Sequence, residues 1–198
     1  MQGILSDYVE PLDIIRELVS NSLDHGKASQ IEIKFRVETF KGQPGLTVIF
    51  KERANGMNEF HQDRWSKEVS MRRYEGKVET HKGRGTKGIL NSSYVEIETV
   101  YKDDKTNKNK KWHIKFDDPH SDLRVKHKLP EPIIITDNEF IDQKATFLKY
   151  TIKNLNPEAA FWEDIRPDKA RAYLIYRTKA IDKRLLFNDC QGKGKPNY

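Results

Sequence analysis

Between Ala28 and Gln30 the spacing of apolar residues changes from helical to strictly alternating, and that change limits what the chain can fold into. Before it, IIRELVSNSLDHGKA closes an amphipathic helix expected from about Tyr8 to His25. Its apolar arc is Leu12, Ile15, Leu18, Val19 and Leu23. Pro11 falls in the first turn, where a missing N–H is tolerated, and Gly26 falls where a helix should stop. After the change, QIEIKFRV puts Ile31, Ile33, Phe35 and Val37 on one face and Glu32, Lys34 and Arg36 on the other. That is a strand with one buried face. A helix whose apolar arc needs a partner, followed at once by a one-sided strand, predicts a helix lying on a sheet.

The rest of the chain extends this pattern. Gly42-Gln43-Pro44-Gly45 reads as a turn and Leu46 to Phe50 as a second strand, making a hairpin. KERANGM, Lys51 to Met57, is a polar stretch containing Gly56. Residues 58–82 form a long charged connection, and connections of that length in compact domains are usually functional. HKGRGTKGILNS carries Gly83, Gly85 and Gly88 and reads as a glycine loop feeding a helix N-terminus. Tyr94 to Tyr101 alternates as a strand, with Trp112 to Phe116 as its partner across a solvated, highly charged hairpin tip. Asp117 to Pro132 reads as a polar loop, Ile133 to Ile135 as a short apolar segment, and Thr146 to Ile152 as a further strand. From Pro157 the pattern turns helical, chiefly Pro167 to Leu186, with Ala170, Leu174, Ile175 and Ile181 as core candidates.

Composition narrows the function classes. A chain of 198 residues suits one domain, or one domain and the start of a second. The net charge of +6 permits a polyanionic partner such as nucleotide phosphate or nucleic acid. The lysines are dispersed and match no nucleic-acid motif, so a solvated basic surface is the plainer explanation. Cys190 is the single cysteine, which excludes an intrachain disulfide and a cysteine zinc site. His25, His61 and His81 lack metal-ligand spacing and read as surface residues. No apolar run approaches membrane-spanning length and no signal peptide is visible, so a cytoplasmic protein without a membrane segment is expected. The polar ending CQGKGKPNY reads as a cut chain end or a linker, so a piece of something longer is expected.

On the first helix Glu17, Asn21 and Asp24 fall at i, i+4 and i+7, along one edge. ELVSNSLDHG contains E-x-x-x-N; Glu52-Arg53-Ala54-Asn55-Gly56, followed by Met57, comes after a strand; Gly83-Arg84-Gly85-Thr86-Lys87-Gly88 comes next; Ala145-Thr146 opens a late strand. In this order the four stretches resemble the GHKL ATPases, the superfamily of DNA gyrase B subunits, heat-shock chaperone ATPases, histidine kinases, MutL and MORC proteins. The resemblance covers about residues 8–155 and is nearest to the chaperone, MutL and MORC branch. It departs from the family pattern at Glu52, where the family has Asp, and at Ala54 and Ala145, where it has Gly.

The resemblance implies a Bergerat fold: an α/β two-layer sandwich of a mixed, mostly antiparallel sheet with helices on one face. It implies an ATP-binding domain over 1–155 with a lid at about 58–88, and a helical connecting segment at 156–198 leading toward a further domain. Glu17 would be the general base that activates water, and Asn21 a Mg²⁺ ligand adding no charge. Glu52 would accept a hydrogen bond from the adenine amine. Gly56, Met57, Gly83, Gly85, Thr86, Lys87, Gly88 and Thr146 would complete the nucleotide site, the glycine-flanked N–H groups holding phosphate. The implied cofactors are ATP and Mg²⁺. The implied partners are further domains of the same polypeptide and a second copy in a homodimer; nucleic acid has only the charge in its favour. Two other readings stand beside the ATPase: a nucleotide-gated binding module with little or no hydrolysis, and a histidine-kinase-type catalytic domain. Glu17 speaks against the last, because a kinase of that type needs no water-activating base.

Overall fold

The structure is a computed structural model and describes residues 11–24, 27–68, 85–128, 130–155, 169–170, 172–174 and 185–189. Helix α1 is Pro11–Asp24. It is followed by the strands β1, Gln30–Phe40, and β2, Gln43–Arg53, and by helix α2, Glu59–Glu68. A 3₁₀ turn at Gly85–Leu90 leads into β3, Ser92–Lys102, and β4, Asn109–Asp117. Helix α3, Pro119–Arg124, then precedes β5, Ile133–Ile141, β6, Phe147–Leu155, and β7, Leu185–Asp189. The seven strands form one sheet in the order β5-β4-β3-β6-β2-β1-β7. Every pairing is antiparallel except β1 with β7.

The alternation in the sequence becomes register. Ile31, Glu52, Leu148, Thr99 and Trp112 share one row across β1, β2, β6, β3 and β4. Ile33, Phe50, Tyr150, Ile97 and Ile114 share the next. Side chains in one row point to one face, so these rows are the apolar floor on which α1 lies. Ile14, Ile15, Leu18 and Val19 of α1 are buried in the same core. Each such side chain contributes about 1.5–3 kcal/mol when removed from water. Ile14 joins the arc expected from the sequence, while Leu12 and Leu23 are only partly buried at its margins. Val37, expected on the buried face, is 56% exposed although Leu46 opposite it on β2 is buried; β7 pairs with β1 only as far as Phe35.

Several elements differ from the sequence reading. The hairpin turns on Lys41 and Gly42, both at positive φ, and not on the four residues from Gly42. Two left-handed residues suit the twist of a two-residue hairpin. Pro44 and Gly45 therefore lie inside β2; Pro44 pairs only with β1, because β6 joins β2 from Val48 onward, and no ladder N–H is lost. Gly45 is required there, since a Cβ would run into the Asn154 side chain. The expected polar loop after Asp117 contains α3, and the short apolar segment at Ile133 is a nine-residue edge strand. The helix expected to reach Leu186 gives way to β7, which pairs in parallel with β1. Residues 169, 170 and 172–174 are helical, and Ala170 and Leu174 are fully buried as expected. Ile175, Ile181, residues 69–82 of the long connection and the next two, 83 and 84, lie outside the described residues. The observed mixed, mostly antiparallel sheet with helices on one face is the two-layer α/β sandwich that the sequence implied.

Candidate functional site

The C-terminal halves of α1 and β2 meet at one end of the sheet. Ala28 N–H donates to the Ser22 carbonyl at 3.0 Å, and Ser29 N–H donates to the Arg53 carbonyl at 2.8 Å. These bonds fix the chain as it leaves the helix and enters β1 beside the end of β2. Ser22 itself donates to the Leu18 carbonyl at 2.8 Å and is buried.

Glu52 occupies the last inward-facing position of β2, opposite Ile31 and Leu148. It is 3% exposed, and its Oε2 has no hydrogen-bond partner among the described residues. Burial pushes its carboxyl up to about 7, against the opposing effect of a hydrogen bond with Ser22. The Tyr150 phenol is raised as well, by its own burial and by the nearby Glu52 charge. A buried carboxylate oxygen without a donor is costly, and a native fold retains such a group where something else supplies the donor.

Beyond Glu52 the chain crosses the start of β6 and docks on β3. Thr146 Oγ1 donates to the Ala54 carbonyl at 2.5 Å. Met57 N–H donates to Thr99 Oγ1 at 2.9 Å, and that hydroxyl donates onward to the Phe147 carbonyl at 2.9 Å. Gln62 Nε2 donates to the Met57 carbonyl at 2.7 Å. Thr99 is fully buried and binds the turn, β3 and the start of β6 together. Gly56 has φ +74, and a Cβ there would run into the Val100 carbonyl and the Thr99 hydroxyl. Glycine is obligatory at that place on two counts. Ala54 is not among the residues at positive φ, so its methyl group is tolerated where the family pattern has glycine. The turn hands over to α2 through Asn58, whose Oδ1 accepts from His61 N–H at 3.1 Å as an N-cap.

The remaining expected residues divide into three groups. Glu17 and Asn21 are half-buried on α1, and Asn21 directly precedes the Ser22 that bonds Glu52. Glu17 Oε1 lies 2.8 Å from Arg16 Nη2, and Arg16 also reaches Asp13 at 3.3 Å. Met57 contributes its side chain to the core and Gly56 its bareness to the docking on β3. The glycine segment forms a six-residue 3₁₀ turn, shorter than the expected helix entry, which packs on α1 with Gly88, Ile89 and Leu90 buried. Gly85 begins that turn; Gly83 and the side chains of Asp24, Thr86 and Lys87 lie outside the described residues.

Ser22, Gln62 and Thr99 were missed in the sequence. Thr99 had left a signal, since it continues the inward series Val95 and Ile97 as a polar residue on an apolar face. Ser22 and Gln62 left none, because each acts through a partner distant in sequence or within a turn of no regular period.

No protein-family model matches the sequence, and no curated protein matches it significantly. Solved structures do match. The ATP-binding domain of topoisomerase IV from Francisella tularensis, in complex with a small-molecule inhibitor, aligns with TM-score 0.52 and 18% identity over 93% of this chain and 85% of that one. The chain has the GHKL ATP-binding fold. A second GHKL structure, the ATPase region of Saccharomyces cerevisiae topoisomerase II bound to ICRF-187 (dexrazoxane), aligns with TM-score 0.50 and 13% identity over 90% of this chain. The alignment spans 47% of that yeast chain, about half its length. No helix among the described residues is long and apolar enough to cross a membrane.

Proposed function

We propose that the chain binds ATP with Mg²⁺ between α1, the end of β2 and the glycine segment, and hydrolyses it to drive a lid and dimerisation switch in a larger protein. The observation that carries this reading is the Glu52 oxygen that has no hydrogen-bond partner among the described residues, buried at the junction of helix and sheet. An adenine amine is a neutral donor that fits it, and the ionised carboxyl would favour ATP over GTP because a carboxylate repels a carbonyl oxygen. Thr146, held on the Ala54 carbonyl at 2.5 Å, keeps the base-binding turn beside Glu52.

The donor set also suits the ion. Among the described residues no three His, Cys, Asp or Glu side chains converge, so Asn21 would supply one neutral oxygen and the phosphates and water the rest. When bound, Mg²⁺ neutralises phosphate charge. Glu17, one turn before Asn21, would take the proton from the attacking water, once its carboxylate leaves Arg16. Gly83, Gly85, Thr86, Lys87 and Gly88 would hold phosphate through backbone N–H groups, with Gly56 and Met57 framing the base. In this reading 1–155 is the ATP-binding unit with its lid at about 58–88, and 156–198 leads toward a further domain.

One observation favours a second reading, a nucleotide-gated binding module with little turnover: the Glu17 carboxylate is engaged by Arg16 at 2.8 Å. The test for the main reading is calorimetry with a non-hydrolysable ATP analogue and Mg²⁺ on the wild type and Glu52→Ala. We expect saturable heat that the variant weakens by about 1.5–3 kcal/mol, the value of a hydrogen bond to a charged acceptor. Wild-type protein giving neither heat nor a thermal shift at millimolar analogue overturns the nucleotide assignment.

A further inference from the structure

The β5 edge of the sheet carries charges and apolar groups that no contact among the described residues satisfies. Residues 131–142, EPIIITDNEFID, hold the carboxylates of Glu131, Asp137, Glu139 and Asp142 and no Lys, Arg or His, in a chain of net charge +6. Among them Ile133, Ile134, Ile135 and Phe140 are 46%, 59%, 48% and 55% exposed. None of the four carboxylates forms an ion pair among the described residues. The lysines of the adjoining strand β4 turn to other acids. Lys110 lies 2.7 Å from Glu59 and 3.2 Å from Asp103, Lys111 lies 2.7 Å from Glu98, and Lys115 lies 3.3 Å from Asp117. Asp137 accepts a hydrogen bond from the side chain of its neighbour Asn138 at 3.0 Å. Cations approach the strand only at Phe140, where Lys110 and Lys108 stand 5.1 and 6.0 Å from the ring centre, so the acidic aliphatic stretch is centred on Ile133 to Glu139.

This edge is not shaped to take another strand. Pro132, just before β5, has no N–H to offer. Trp112 of β4 opposes two residues, Asp137 and Asn138, and Ile135 is surplus between the pairs His113–Thr136 and Ile114–Ile134. Bulges and a proline blunt an edge against backbone pairing. The bulge at Asn138 is pinned, because that residue sits at φ 55 and accepts from the Tyr101 hydroxyl at 2.9 Å. What β5 presents is therefore a row of side chains on a fixed contour. A contiguous exposed apolar run marks an interaction site, and the carboxylates around it set the sign of the partner. They repel nucleic acid and anionic lipid, and two copies meeting β5 to β5 would set like charges together. We propose that β5 docks a basic, aliphatic segment of a partner protein. Its apolar side chains cover Ile133, Ile134 and Ile135, and its Lys or Arg groups meet Glu131, Asp137 and Glu139.

The test is an NMR titration of the isotopically labelled whole chain with a peptide of alternating lysine and valine, carried to millimolar concentration. Chemical-shift changes should concentrate on residues 131–142 and the facing residues of β4. Asp137→Asn/Glu139→Gln should weaken binding about tenfold at low salt, and most of that difference should vanish by about 0.5 M salt. Ile134→Ser should weaken it about tenfold at either salt concentration. Ile133→Thr, which keeps a branched side chain, is a second probe of the apolar contact and should act in the same direction. All three change exposed side chains and should melt close to the wild-type temperature. Glu38→Gln/Asp104→Asn, an equal charge loss away from β5, should leave affinity within about twofold. An equal fall in both double variants means diffuse charge attraction, and shift changes that miss β5 mean another surface; either overturns the proposal. Polylysine binding as well as the lysine–valine peptide would remove the aliphatic contact, and a glutamate–valine peptide binding as well would remove the charge. A dimer in sedimentation that Ile134→Ser abolishes would reassign the surface to a second copy of the chain.

Discussion

Replacing Glu52 by Gln should change how stability depends on pH more than it changes stability itself. The Glu52 carboxyl is held at about 7 by burial, above its ordinary 4.5. Between those values the folded chain keeps a proton that the unfolded chain has released, so the folded state binds more protons. Stability therefore falls as pH rises from about 4.5 to about 7, and the full penalty persists above that range. Between pH 5 and 8 this one group should cost about 2–3 kcal/mol. For a chain of 198 residues that is roughly 5–10 °C in melting temperature. Gln has similar size and no proton to titrate, and its amide N–H₂ adds a buried cost that does not vary with pH. The quantity to measure is the difference between wild type and Glu52→Gln in urea unfolding free energy, at pH 5, 6, 7 and 8. The variant should gain on the wild type by about 2–3 kcal/mol across the series, with most of the change below pH 7. Parallel curves over the whole range would refute the reasoning, and would mean that Glu52 is solvated or paired in solution.

Other perturbations test the frame around it. Thr99→Val leaves the Met57 N–H and the Phe147 carbonyl without their shared hydroxyl, and should cost about 2–4 kcal/mol in denaturant unfolding while Thr99→Ser restores most of it. Gly56→Ala meets both the positive φ and the Val100 carbonyl, and should destabilise by about 2–4 kcal/mol, whereas Ala54→Gly should cost under about 1 kcal/mol. If Glu17 is the base, Glu17→Ala should lower ATP turnover by about 10²- to 10⁴-fold with binding nearly intact; equal turnover in wild type and variant favours the gated binding module. Asn21→Ala should instead impair binding and turnover together, as read by titration of Mg²⁺ at fixed ATP.

The features that were legible in the sequence are those encoded within one turn of helix or one pair of strand residues. The burial of Ile15, Leu18 and Val19 follows from spacing alone, as does that of Ile31, Ile33 and Phe35. Gly56 was legible as a special position because only glycine suits such a turn, though its reason, the approach to Val100, was not. Elements whose signal is not periodic were misread. The six residues of α3 are too few for a helical period, and β5 is an edge strand with Ile133, Ile134 and Ile135 all exposed, so no alternation marks its length. The turn was placed on Gly42 to Gly45 because Pro and Gly punctuate turns, but the close pass of Asn154 is what requires Gly45.

By itself the sequence determined the local periods, the one-sided strands, the helix that must cover them and the residue types able to meet a nucleotide. Only the tertiary structure decided that Leu185–Asp189 would pair with β1, and that Ser22 would meet Glu52. It likewise decided that Met57 would hang on Thr99 and that Lys51 would face Lys149. These contacts join residues tens of positions apart, and the energy that selects them comes from closing a whole sheet. No spacing along the chain records which strands will be neighbours, because backbone pairing is the same for every sequence and partners are chosen by the faces they bury together.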